Sequence, residues 1–169
     1  PLAQPRTLVF LTYPQMGLLD LTGAQTVFWA ATKAMAERGL QGYVLHNASL
    51  AGGLMPTAEG LSVDTVALAQ FDPAAIDTLV VPGAPAIEQA MLENTALVDW
   101  LRNASGQARR TASVCSGTFL LERGFLGPCA ALNGVDIAHA AVDAARQNAA
   151  AAQSNARFVA NDCLRFIAK

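Results

Sequence analysis

The chain has 169 residues, of which 53% are apolar and 14% charged, with a net charge of −2. That length suits one domain, residues 1–169, with a substantial core. The few scattered Lys and Arg argue against nucleic-acid binding by this domain. No apolar run reaches membrane-spanning length, and the N-terminus lacks the charged-then-apolar order of a secretory signal, so a cytoplasmic protein without membrane contact is expected. Cys115, Cys129 and Cys163 are odd in number and have no metal-ligand spacing, which suits a reducing compartment and no metal site.

Strand-like and helix-like patterns alternate along the chain. The run from Thr7 to Tyr13, "TLVFLTY", is continuously β-branched and aromatic, as in a strand buried on both faces. A helix beginning near Thr22 follows, with Val27, Phe28, Ala31 and Met35 at helical spacing and a stop at Gly39. "GYVLHNAS" is a second strand, and "GGLMPTAEGLSVDTVAL" reads as a hairpin-like excursion. "IDTLVVPG" is a third buried strand that ends in a Pro-Gly turn. One or two helices come next, restarting at Asn94 as an N-cap. "RRTASVC" is a short strand, and a helix runs from Ser116 to near Gly124. This alternation predicts a parallel sheet with helices on both faces, a doubly wound α/β fold. Ligands bind such sheets at the carboxyl ends of the strands.

Cys115 sits where the last of these strands turns into its helix. A sharp strand-to-helix turn lifts one side chain above the sheet, the geometry of a nucleophile elbow. Such a turn needs small neighbours, and Ser113, Ser116 and Gly117 supply them. Unpaired N–H groups at the helix start favour a thiolate, the reactive form of a cysteine. The plainer alternative is a buried packing thiol, the usual place of an isolated cysteine.

Three separated motifs carry a family resemblance: "LLDLTG" (Leu18 to Gly23), "VVPGAP" (Val80 to Pro85) and "SVCSGTFLL" (Ser113 to Leu121). In order and spacing they resemble the ThiJ/PfpI family of the class I glutamine amidotransferase-like superfamily. The Asp-Leu-Thr-Gly loop with a Ser-Val-Cys-small-Gly elbow looks most like isocyanide hydratases, and nearly as much like the sensor domains of AraC-type regulators. The resemblance implies a flavodoxin-like, mostly parallel sheet with a nucleophile elbow.

It also implies that Asp20 stands beside Cys115 as a proton donor, because a carboxyl group near a thiolate holds its proton longer. An N-cap for the helix near Thr22 is the alternative role for Asp20, and Thr22 itself reads as a capping hydroxyl. The resemblance places substrate or oxyanion contacts at Gly83, Ala84, Ser116 and Gly117, with the Ala84 and Ser116 N–H groups as the donor pair. Ala84 stands where the family usually has a second glycine. Ser116 matches the small hydroxylated residue that follows the nucleophile in the hydratases.

Of the two histidines, His46 and His139, neither follows Cys115 immediately, where peptidase-like and glyoxalase-like members carry one; Ser116 occupies that place. Both read as ordinary strand or helix residues. After "LLERGFLG" the family pattern breaks, and the segment near 126–134 looks shortened by a few dozen residues. Either the chain has a deletion there, or the sequence joins segments across an omitted stretch. From Val135 onward two helices are expected, the first alanine-rich and the second amphipathic through Phe158, Val159, Cys163 and Phe166. Cys129 and Cys163 read as packing residues, and Trp29 and Trp100 as core or interface anchors.

The resemblance thus implies hydration of a small isocyanide by Cys115 and Asp20 without a cofactor, in a homodimer. Two rivals remain. One is a regulator's domain that senses a small molecule; this chain shows no basic helix-turn-helix stretch, although a truncated chain would hide one. The other is a redox protein in which Cys115 is oxidised.

Overall fold

The computed structural model describes residues 5–124, 133–136 and 157–160, together with His139, Val142, Asp143, Arg146 and Gln147. The chain forms two compact units, Pro1–Leu126 and Gly127–Lys169. In the first unit, β1 (Arg6–Leu11), β2 (Tyr43–Ser49), β3 (Gly53–Pro56), β4 (Ser62–Ala67), β5 (Thr78–Val81) and β6 (Arg110–Ser113) form one sheet. The strand order is β3-β4-β2-β1-β5-β6. Only the β3–β4 pair is antiparallel, and it forms the expected hairpin; the other pairs are parallel. β1 is central, and Leu8, Val9, Phe10 and Leu11 are fully buried, which explains the uninterrupted apolar run.

Helix α1 (Leu18–Glu37) starts four residues before the expected position. The cause lies far away in sequence. The Glu59 carboxylate, in the β3–β4 turn, accepts the Leu18 N–H at 3.0 and 3.1 Å, an acidic cap that suits the positive helix end. Thr22 is therefore inside the helix, and its hydroxyl donates to the Leu18 carbonyl at 2.8 Å instead of capping. The C-terminal stop is as expected. Gly39 takes a left-handed φ of +67°, and the Gly39 and Leu40 N–H groups donate to Ala36 and Met35.

Helices α2 (Ile87–Glu93) and α3 (Thr95–Ser105) do break at Asn94. Its carbonyl accepts the N–H groups of Leu97 and Val98, while its side chain donates backward to the Ala90 carbonyl, so it is not a side-chain cap. Leu97, Val98, Leu101 and Ala104 of α3 are buried, and Trp100 packs against the same core. Helix α4 (Gly117–Gly124) follows the turn after β6 and packs against α3. Trp29 is instead 55% exposed, with the Lys33 ammonium 5.9 Å from its ring centre.

In the second unit the expected helices give way in part to strands. β7 (Asn133–Asp136) pairs in parallel with β8 (Arg157–Ala160). Val135, Phe158 and Val159 are β-favouring residues, and a four-residue strand is too short to show a period that separates it from a helix. The described residues between them are helical, which agrees with the first expected helix. Cys129, Cys163, Phe166 and most of the 126–134 segment lie outside the described residues.

Candidate active site

Three loops meet at the carboxyl ends of β1, β5 and β6. After β6, the Val114 N–H donates to the Val81 carbonyl at 3.0 Å, and the chain then turns within three residues into α4. Cys115 is at the apex with φ +53° and an exposed side chain. A non-glycine residue in that region costs about 1–2 kcal/mol and persists only where its surroundings hold it. Here the Gly117 N–H closes the turn on the Val114 carbonyl at 3.0 Å, and the Thr118 hydroxyl lies 3.3 Å from the Cys115 carbonyl and 2.8 Å from the Ser113 hydroxyl. Gly117 fits because a Cβ there would meet the Val81 carbonyl oxygen, and the Pro82 carbonyl oxygen at 2.7 Å.

The turn after β5 runs through Pro82, Gly83 and Ala84. The Gly83 N–H donates to Asp20 Oδ2 at 3.1 Å, and the Gly83 carbonyl accepts the Gly17 N–H at 2.8 Å. Asp20 is thus in the first turn of α1 and is tied to the turn after β5; Gly17, not Asp20, holds the N-cap position. The Ala84 N–H donates to Ser116 Oγ at 3.1 Å, and Ser116 Oγ lies 3.0 Å from the Ala84 carbonyl oxygen, placed to donate to it. A Cβ on Gly83 would stand 2.6 Å from Ser116 Oγ, 2.7 Å from Asp20 Oδ2 and 2.9 Å from the Ser116 nitrogen. The three loops therefore converge on one point, and only glycine leaves room there.

This arrangement changes the expected oxyanion pair. The Ala84 N–H is already given to Ser116 Oγ and the Gly83 N–H to Asp20, because both peptide groups bridge neighbouring loops. The Ser116 N–H has no acceptor among the described residues. Ser116 and Gly117 follow Cys115 in the turn, with Gly83 and Ala84 opposite them.

Tyr13 was not singled out from the sequence. It lies two residues beyond β1, is 1% exposed, and donates its hydroxyl to the Pro82 carbonyl at 2.6 Å. Burial first, then the negative charges of Asp20 and Cys115, push its phenol above the ordinary range. The only sequence signal was its place at the carboxyl end of the first strand, where sites form in such folds.

His46 of β2 takes no part in this arrangement. His46 meets the Phe71 ring at 5.2 Å, and His139 is an exposed residue of the second unit. Among the described residues no group of His, Cys, Asp and Glu could hold a metal ion.

The sequence profile of the DJ-1/PfpI family matches residues 6–159. The chain belongs to the DJ-1/PfpI family. An HTH-type transcriptional regulator of Mycobacterium tuberculosis is 45% identical over 53 residues, 31% of this chain and 20% of the regulator. A ThiJ/PfpI family protein from Pseudomonas syringae superposes with a TM-score of 0.63 at 20% identity, covering 80% of this chain and 52% of that one. An AraC family transcriptional regulator from Pseudomonas putida superposes with a TM-score of 0.50 at 22% identity, over 70% of each chain. The chain thus spans a fifth of the length of the first relative and about half of the ThiJ/PfpI protein. The family membership expected from the three motifs holds, as does the mostly parallel α/β fold. Among the described residues no helix is long and apolar enough to cross a membrane.

Proposed function

We propose that the Cys115 site hydrates a small isocyanide to an N-substituted formamide. The observation that carries this reading is an exposed cysteine held at φ +53° next to a loop that also holds the Asp20 carboxylate. The occupied Ala84 N–H adds to it. Acyl transfer builds charge on oxygen and needs ready N–H donors. Attack on an isocyanide builds charge on its terminal carbon and needs a proton instead.

In this mechanism the Cys115 thiolate forms a C–S bond to the terminal carbon while Asp20 gives that carbon a proton, yielding a thioimidate. The Asp20 carboxylate then takes a proton from water, and the resulting hydroxide adds to the same carbon. The proton of the added hydroxyl moves to the nitrogen as the C–S bond breaks, which returns the thiolate, leaves Asp20 protonated and releases the N-substituted formamide. One isocyanide and one water are consumed, and the step requires no cofactor. The exposed apolar side chains of Leu19, Val27 and Trp29 on α1 suit a second copy of the chain, as in a homodimer.

The test is formamide production from an aryl isocyanide by wild type, Cys115→Ala and Asp20→Asn. Formamide from wild type, lost in both variants, is the expected result. No formamide from folded wild type that is nevertheless stabilised by a small molecule would favour a second reading, a ligand-sensing domain of a transcriptional regulator. The similarity to the Mycobacterium tuberculosis regulator supports that second reading.

A further inference from the structure

We infer that Tyr13 is a positioning residue whose hydroxyl, through the Pro82 carbonyl, fixes the turn that holds Asp20 toward Cys115. The inference rests on the reading above in which Asp20 acts on Cys115. Tyr13 has two separable parts. Its ring belongs to the core under the site, a task that phenylalanine fills equally well. Its hydroxyl has one partner among the described residues, the Pro82 carbonyl at 2.6 Å.

That carbonyl belongs to the peptide whose nitrogen is the Gly83 N–H, the donor to Asp20 Oδ2 at 3.1 Å. A single peptide unit therefore receives the Tyr13 hydrogen bond at one end and gives the Asp20 hydrogen bond at the other. The Gly17 N–H holds the Gly83 carbonyl at 2.8 Å, and Ser116 Oγ bonds with Ala84, so the rest of the turn is tied as well. The Pro82 oxygen also lies 2.7 Å from where a Gly117 Cβ would stand, so the elbow leans on the same carbonyl. Losing the hydroxyl frees this peptide to rotate and weakens its hold on Asp20. At any pH where Asp20 is ionised, a carboxylate released from an N–H donor repels a nearby thiolate more strongly.

The test reads Cys115 directly, without isocyanide. Iodoacetamide attacks the thiolate, so its rate against pH, followed on the Cys115 peptide by mass spectrometry, reports the thiolate fraction. Wild type, Tyr13→Phe, Asp20→Asn and the double variant are compared, with melting curves to verify folding. Tyr13→Phe is expected to move the profile to higher pH and to slow alkylation near neutrality by roughly 3–10-fold. The shift is expected to vanish when Asp20 is already Asn.

An unchanged profile, or an equal shift with and without Asp20, would overturn the inference. Where Tyr13→Phe fails to fold, 3-fluorotyrosine in a Tyr43→Phe background gives a stronger donor of nearly the same size. A profile that moves only when Asp20 is present then supports the inference, and one that does not move refutes it. Formamide production is read separately, so failure of the hydratase reading and failure of this relay are distinguishable.

Discussion

The two ends of the central strands are built on opposite principles. At the amino end, Asp77 precedes β5 and gathers three arginines. Arg109 reaches its two carboxylate oxygens at 2.6 and 2.9 Å, while Arg6 and Arg110 lie at 3.8 and 4.0 Å. The Thr78 hydroxyl adds a bond at 2.7 Å, and the Arg109 bond first of all holds the Asp77 carboxyl down at about 2. At the carboxyl end, one strand length away on β5, Pro82, Gly83 and Ala84 are crowded by the elbow and by α1. There the backbone is left-handed at Gln15 and Cys115, and a thiol is open to solvent. One end ties the strands with satisfied charges, and the other holds backbone strain around an exposed thiol, which supports the proposed nucleophile.

The largest expected effect comes from removing the thiol. Cys115→Ala is expected to lower isocyanide turnover by about 1000-fold or more, with little change in melting temperature. Next is Gly117→Ala, whose Cβ would press on the Val81 and Pro82 carbonyls. Backbone cannot yield as a side chain does, so a loss of about 2–4 kcal/mol is expected in denaturant unfolding.

At the other end, Asp77→Asn is expected to cost about 1 kcal/mol, because Arg109 is half exposed and solvent screens the pair. Its turnover is expected to match wild type. The sign with pH follows from the depressed carboxyl. The Asp77 contribution is present above about pH 4 and is lost as pH falls through about 2, so the melting difference between Asp77→Asn and wild type closes over that window. The smallest effect runs the other way. Cys115→Gly is expected to stabilise the fold by about 0.5 kcal/mol, since glycine adopts φ +53° without steric cost but loses more backbone freedom on folding. A destabilised Cys115→Gly protein would mean that the elbow is not strained, and the contrast between the two ends would weaken.

What could be read from the sequence follows the range of the interactions. Leu8 to Leu11 and Thr78 to Val81 read as strands because burial on both faces demands continuous apolar residues. The elbow was legible because a cramped turn imposes small residues next to Cys115. The start of α1 was misplaced because its cap, Glu59, comes from 41 residues away. Tyr13 read as one more strand aromatic, since nothing local says that its hydroxyl meets Pro82. The oxyanion expectation at Ala84 changed for the same reason: its N–H partner, Ser116 Oγ, belongs to another loop. β7 and β8 are four-residue segments in which β-branched and aromatic residues fit either secondary structure.

The proposal that Cys115 is a placed nucleophile is tested most directly by the intact mass of the protein during turnover of an aryl isocyanide, quenched in acid. The expected result is a gain equal to the mass of one isocyanide, located on the Cys115 peptide and absent from Cys115→Ala. Formamide released with no such adduct, or an adduct elsewhere in the chain, would contradict a covalent role for Cys115.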